Sequence, residues 1–550
     1  MRMTQRSNDR RLTRWPLAAL VSLSLVQAAA AGPPLREVID TEVRAVWERE
    51  KVSPAAPASD AEFLRRVSVD IVGVIPTHEE AVAFLADQSP DKRRQLIDRL
   101  LDDPRYARHM AELWDVLLFT RNPPGSEVDK RDGFQGWLRQ RFAENTPYDK
   151  LVRELLKAEG NSVEQGPPLY FVQYRQRPED MTEVVTQTFL GVQLQCARCH
   201  NHPFESWTQQ DFYGMAAFLA RLQIVSAGKA DNQSKYMVAE KSTGDILFTG
   251  AVKEDKPGKK GDPVAPKFLI GDPLVEPPLP DGFKEVAKFE ENKPPPAPVF
   301  SRKDQLAEWV TRADNPYFAK ATANRLWAMF LGRGLVHPVD NLSDSNKPSH
   351  PELLTALARE LVEHQFDLKW LIRELCNSQV YQLSSIGPEA DPLPRLFQQA
   401  RVRPLSAEEL MDSWRVATGF ETSVKPDAKK NVGRFAPIDG GYMIRFFGQP
   451  NTGTGDFQGG LHEHLFLNNG PVSQLIVTSP GSLYDSLVKS TSPWPDRIDR
   501  LYLSLLNRPP NDEERQKFSE FFSADEKMNP ERLRDAIWAL MTCSEFRFNH

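Results

Sequence analysis

The sequence predicts a mainly α fold, with two helical domains joined by a small β-rich insert and linker. Three observations carry that reading. Apolar residues recur at helical spacing behind capping signals from Asp60 to about Arg221, and again from Ser301 onward. Between Gln223 and Pro298 the character changes: glycine, proline and lysine interrupt short runs such as DILFTGAV and PKFLIGD, ending in KPPPAP. At 550 residues the chain also exceeds what one core ordinarily organises.

The first helical stretch is punctuated by local devices. Thr77 and Glu80 form a capping box ahead of Ala81, Val82, Phe84 and Leu85. Ser89-Pro90 supplies a cap and an early proline before a helix whose stripe is Leu96, Ile97, Leu100 and Leu101. Thr146-Pro147 repeats the device before KLVRELLKAEG, with Gly160 as the stop. Thr208 caps QQDFYGMAAFLARL. In the second stretch a helix breaks at Asn315-Pro316. Capping boxes are expected at Ser349 to Glu352, at Ser406 with Glu409 and at Asn511 with Glu514. Lys425 to Gly460, rich in glycine and aromatics, reads as a long ordered loop.

Composition bounds the partners. A net charge of −6 over 550 residues gives no electrostatic reason to expect nucleic acid or an anionic membrane. The N-terminus sets the compartment. MRMTQRSNDRRLTRW has five arginines and one acid, PLAALVSLSLV is a short apolar run, and QAAAAGPP offers small residues for cleavage near Ala31. That order is a Sec signal peptide over residues 1–31, so a periplasmic or cell-envelope protein is expected. The competing reading is an uncleaved signal anchor. No later segment approaches the ~20 apolar residues of a membrane-spanning helix, so no transmembrane domain is expected in the mature chain.

The chemistry concentrates in QCARCHNHPFESW, residues 195–207, which holds two of the four cysteines and two of the ten histidines. Cys196, Cys199 and His200 make the CxxCH spacing of c-type haem attachment. There each thiol adds to a vinyl group and the adjoining imidazole becomes the axial ligand of the iron. Such attachment occurs outside the cytoplasm, in agreement with the signal peptide. Haem c is therefore the leading cofactor, with Cys196 and Cys199 as covalent sites and His200 as axial ligand. The function that follows is electron transfer to a redox protein partner.

Other uses of the same residues stay open. A Cys196–Cys199 disulfide in a haem-free helical binding or scaffold protein is one. A single transition metal on Cys196, Cys199, His200 and His202 is another, although four ligands so close in sequence are crowded. His202 is the weak alternative ligand, and loop orientation is the commoner role for such a histidine. Candidates for a sixth haem ligand are Met215, Met181 and His109. His462 and His464, and the run containing His337, Asp340, Asp344 and His350, are further polar clusters for a metal-dependent hydrolase. Capping and turn formation explain most of these residues. Cys376 and Cys543 lie in apolar helical settings and read as structural.

The stretch LGVQLQCARCHNHPFESWTQQDFYGMAAFLARL resembles the signature of the DUF1549 domain, also described as planctomycete cytochrome-c-like. NPYFAKATANRLWAMFLGRGLVHPVDNLSDSNKPSHPELLTALARELVEHQFDLKWLIRELCNSQVYQLSS resembles the DUF1553 domain that commonly follows it. RPLSAEELMDSW, FFGQP, LNNGP, LYLSLLNRPP and SEFRFNH fit the same second domain. The resemblance implies an exported bacterial protein of planctomycete type, and it sets the expected organisation. Residues 1–31 are the signal peptide, 32–222 the DUF1549-like domain, 223–300 the insert and linker, and 301–550 the DUF1553-like domain. Relatives often carry cysteines after the FGxP motif, where this chain reads NTGTGDFQGGLHEH. A role resting on those cysteines does not carry over.

Overall fold

The computed structural model describes residues 32–121, 128, 131–174, 176–230, 233–248, 261–286, 296–389, 391–419, 447, 452, 465, 481–523 and 529–550. The signal segment, the expected loop over 425–460 and the His462/His464 pair lie outside them, apart from the single positions 447 and 452.

The first α-helices among the described residues are α1 (Leu35–Glu50), α2 (Asp60–Val72), α3 (His78–Ala86), α4 (Lys92–Asp102), α5 (Pro104–Phe119), α6 (Asp132–Ala143) and α7 (Tyr148–Leu156). Thr77 and Glu80 exchange side-chain and backbone hydrogen bonds at the start of α3, the reciprocal capping that the sequence predicts. The devices expected before α4 and α7 work differently. Asp91 and Pro147 occupy the cap positions without side-chain caps, and Ser89 accepts instead from the Asp91 N–H at 3.3 Å. Helix α7 stops at Leu156, before Gly160, whose φ of +99° serves the short strand β1 (Gly160–Asn161).

After α8 (Leu169–Val172) and α9 (Pro178–Val185) the chain widens into a π turn over Thr186–Leu190. A 3-10 turn over Gln195–Arg198 and α10 (Gln209–Ala216) follow. The insert is then a hairpin of β2 (Leu222–Ala230) and β3 (Gln233–Glu240), with Val225 opposite Met237. Strand β1 adds to the free edge of β3, giving the order β1-β3-β2. Two residues each in β4 (Ile246–Leu247) and β5 (Pro263–Val264) make a second small sheet.

Helices resume with α11 (Arg302–Val310) and α12 (Phe318–Leu331), separated at Asn315-Pro316. Asn315 turns the corner: its Oδ1 accepts from the N–H groups of Tyr317 and Phe318, at 3.0 and 3.1 Å. Helix α13 (Pro351–Glu363) does not start on the expected box. His350 is its cap residue, while the Ser349 hydroxyl is drawn to the Leu335 carbonyl. Then come α14 (Leu368–Asn377), β6 (Arg403–Pro404) and α15 (Ala407–Thr418), whose Ser406/Glu409 box is formed. The chain closes with α16 (Leu483–Lys489), α17 (Trp494–Leu505), α18 (Asp512–Ser523), α19 (Pro530–Thr542), α20 (Ser544–Arg547) and β7 (Phe548–Asn549). Asn511 and Glu514 cap α18 reciprocally. The fold is mainly α, as the periodicity predicts, and no helix among the described residues is long and apolar enough to cross a membrane.

The apolar interior runs across the expected boundary near residue 300. One contiguous core joins Ile39, Val43, Phe63 and Leu151 with Trp327, Leu357, Leu371 and Phe397. Helix α1 lies against α13 and α14, where Arg36 pairs with Glu374 at 2.8 Å. The rings of Tyr148 and Phe318 stack at 5.7 Å. A second core gathers Leu410, Trp414, Ile498, Leu501, Ile537 and Phe546. The two halves thus share one contiguous core.

Candidate functional site

Helix α9 and the π turn deliver the chain to Gly191, the pivot of the site. Its φ is +66°, and a Cβ there would come within 2.9 Å of the Leu342 side chain. Only glycine meets both demands without strain. The Gly191 carbonyl accepts from the Leu342 N–H at 2.7 Å, so the approach to the cysteines is fastened to the second half of the chain. Val192, Leu194 and Ala197 are buried and anchor the next residues from below.

The two cysteines then sit on one helical turn. The N–H groups of Cys199 and His200 both donate to the Cys196 carbonyl at 3.3 Å. Positions i, i+3 and i+4 share a face of a helical turn, which puts these three residues on one side of it. All three residues are exposed, and no disulfide joins Cys196 and Cys199 in this structure. Arg198 faces the other way. Its Nη1 donates to Asp180 at 2.9 Å and to Glu183 at 3.1 Å, which ties the turn back onto α9. Burial pushes the Glu183 carboxyl up, and Arg198 opposes it.

His200 and His202 have different surroundings. The His200 Nδ1 lies 2.7 Å from the Asn201 carbonyl. The His202 Nδ1 accepts from the N–H groups of Phe204 and Glu205, at 3.3 and 3.0 Å, and the backbone N–H of His202 donates to the Trp207 carbonyl at 2.7 Å. These bonds fold HNHPFESW into a tight loop before Thr208 and Asp211 cap α10. Phe204, at the tip, is 83% exposed.

The second half of the chain grips this loop at three points. Glu205 accepts from the Ser345 hydroxyl and, at 3.1 Å, from the Asp344 N–H. Slight burial pushes the Glu205 carboxyl up, but these bonds outweigh it and hold the group below the usual carboxylate range. Asp340 accepts from Gln187 in the π turn and from Gln193 at 3.4 Å, and Gln195 donates to Gln187 at 2.9 Å. Trp207 meets Tyr317 edge to face at 6.4 Å. The polar run from His337 to His350 therefore brings Asp340 and Asp344 to the thiol loop as clamps. His350 is separate, buried beside Phe397, where burial pushes its imidazole down to about 4. Glu205, Gln187 and Gly191 were not singled out by sequence, because what distinguishes them is a partner about 140–150 residues away.

The other candidates lie elsewhere. Met181 and Met215 are buried in the core, each 1% exposed. His109 is buried on α5 against Gly73, and burial pushes its imidazole down to about 4. Cys376 is buried, while Cys543 is only partly so, its thiol donating to the Leu540 carbonyl at 3.1 Å. Among the described residues no group of three or more His, Cys, Asp and Glu side chains is placed to hold a metal ion.

The site residues fit covalent haem on two counts of chemistry. Both thiols are exposed on one turn, and a carbonyl occupies Nδ1 of His200, so that Nε2 is the ring nitrogen that would hold a metal.

Comparison with known proteins places the two halves. Residues 38–224 match the family described as a protein of unknown function, DUF1549, and residues 302–434 match the one described as a protein of unknown function, DUF1553. No curated protein and no solved structure matches the chain. The thiol–imidazole turn falls in the first match and its clamps, Asp340 and Ser345, fall in the second: the chain belongs to the proteins that join a DUF1549 domain to a DUF1553 domain.

Proposed function

We propose that the protein is an exported c-type haem protein that transfers electrons to a protein partner. Cys196 and Cys199 would hold the haem through thioether bonds, and His200 would give a nitrogen ligand to its iron. The observation that supports the reading is the single exposed turn that holds both thiols and the adjoining imidazole. Attachment would add each S–H across one vinyl C=C, the sulfur bonding one carbon and the hydrogen ending on the other, so that nothing is lost and no oxidant is consumed. Haem, when bound, supplies an iron centre that gains and loses one electron.

The chain's own groups do the rest. Arg198 with Asp180 and Glu183 holds the turn rigid, and the Asn201 carbonyl orients His200 and raises its basicity. The exposure of the turn suits approach by a redox partner. The basic, apolar and small segments of residues 1–31 support export to the periplasm or cell envelope, where thioether attachment takes place.

Expression of the full chain with a cytochrome c maturation apparatus tests the proposal. A denaturing gel stained for haem peroxidase activity is expected to show a band at the protein's mass that Cys196→Ala/Cys199→Ala abolishes. No band, beside a control cytochrome that matures, overturns it.

A further inference from the structure

The two histidines of HNH are two residues apart, yet their hydrogen bonds demand opposite protonation of the rings. A carbonyl oxygen only accepts, so the Nδ1 of His200, 2.7 Å from the Asn201 carbonyl, carries the hydrogen and leaves the Nε2 lone pair free. A backbone N–H only donates. The His202 Nδ1, which takes the N–H groups of Phe204 and Glu205, is therefore the bare nitrogen, and in the neutral ring the hydrogen resides on Nε2. The lone pair of His202 is spent inside its own loop.

We infer that His202 is a positioning residue locked as the Nε2–H tautomer. It sets the HPFE turn so that Glu205 reaches Ser345 and Asp344, and it leaves His200 as the one imidazole of this loop with a nitrogen free for a metal. The inference rests on the reading of His200 as haem ligand, but the tautomers themselves do not depend on haem. The connection is direct: the N–H of Glu205 donates to His202 while the carboxylate of the same residue accepts from Ser345. His202 thereby couples the thiol loop of the first half to the 343–345 segment of the second. Iron or zinc bound at the Nε2 of His202 would need the hydrogen moved to Nδ1, at the loss of both backbone bonds.

Nitrogen-15 spectra of the full chain, labelled at histidine and recorded without haem where both rings are neutral, test the tautomers. Assignment comes from His200→Ala and His202→Ala spectra. The expected result is a bare Nδ1 and protonated Nε2 for His202, and the reverse for His200. A protonated Nδ1 on His202, or averaging between its two tautomers, overturns the inference whatever the haem result. A second measurement separates positioning from ligation. Asparagine can offer its Oδ1 where the Nδ1 of histidine stood, so His202→Asn keeps the amides of Phe204 and Glu205 protected from exchange. His202→Ala exposes them by roughly fivefold, the factor one lost hydrogen bond is worth. In the haem-loaded protein His202→Asn leaves the absorption spectrum of the axial field unchanged. A changed spectrum in His202→Asn, with the amides still protected, makes His202 a ligand and overturns the positioning role.

Discussion

Glu205, five residues beyond His200, places its carboxylate on the hydroxyl of Ser345 and on the backbone N–H of Asp344, so the loop carrying the thiols is held by the opposite half of the chain. The Gln187–Asp340 contact and the Gly191–Leu342 bond do the same on its approach. The loop is therefore a shared product of both domains, and its geometry responds to changes on either side.

Removing the clamp loosens the loop without unfolding the protein. Glu205→Ala and Ser345→Ala each remove partly exposed hydrogen bonds, which contribute about 1 kcal/mol or less. Hydrogen exchange is expected to accelerate over residues 200–207 in both variants, while the urea midpoint moves little. Unchanged exchange in that segment would show that the second half does not restrain it.

Gly191→Ala is expected to cost about 1–3 kcal/mol, the range for a side chain forced into left-handed backbone. The added Cβ also meets Leu342 at 2.9 Å, so the joint between the halves shifts with it. Chemical denaturation gives the loss, and Leu342→Ala in the same background relieves the steric part only. A neutral Gly191→Ala would contradict the pivot.

Arg403 bridges the two cores. Its guanidinium pairs with Asp70 at 3.0 Å and with Glu409 at 2.8 Å, and Asp70 also accepts from the Tyr381 hydroxyl and the Asn549 amide. Arg403→Met leaves two buried carboxylates uncompensated, a loss of about 3–5 kcal/mol in urea unfolding. Arg403→Lys, which keeps the charge but not the fork, falls between. A loss below 1 kcal/mol for Arg403→Met would mean that the network contributes nothing net.

Two groups on α5 give stability opposite slopes with pH. Burial lifts the Glu112 carboxyl to about 7 against the pull of Arg108, and Asp412, Glu408 and Glu409 add to the lift. The folded state then holds the extra proton between the ordinary carboxyl value of 4.5 and about 7, so this contribution falls as pH rises through that window. Burial lowers His109 from 6.5 to about 4, against the pull of Glu409 and with Arg403 and Arg108 assisting. There the unfolded state holds the extra proton, so stability is lost as pH falls from 6.5 toward 4. Thermal midpoints of Glu112→Gln are expected to gain on the native protein as pH rises from 5 to about 7. Parallel curves would contradict the lifted carboxyl.

The sequence announces what is local. Thr77, Thr208, Ser406 and Asn511 mark helix starts because a capping box closes within four residues, and Asn315-Pro316 breaks a helix by its own turn chemistry. Ser349 misleads because its hydroxyl finds the Leu335 carbonyl, a tertiary partner that outweighs the local cap. In the site, the shared face of Cys196, Cys199 and His200 follows from spacing alone. The division of labour between His200 and His202 does not, since it depends on which backbone groups the loop turns toward each ring. Glu205 and Asp340 lay in plain view as residue types, but their roles arise from contacts across the two halves.

Covalent haem on Cys196 and Cys199 is the proposal on which the function rests. Intact-mass measurement of the full chain, matured alongside a control cytochrome and then denatured, tests it most directly. A gain of the mass of one haem is expected, surviving denaturation and absent from Cys196→Ala/Cys199→Ala. A chain at its unmodified mass, or two mass units lighter through a Cys196–Cys199 disulfide, would contradict it.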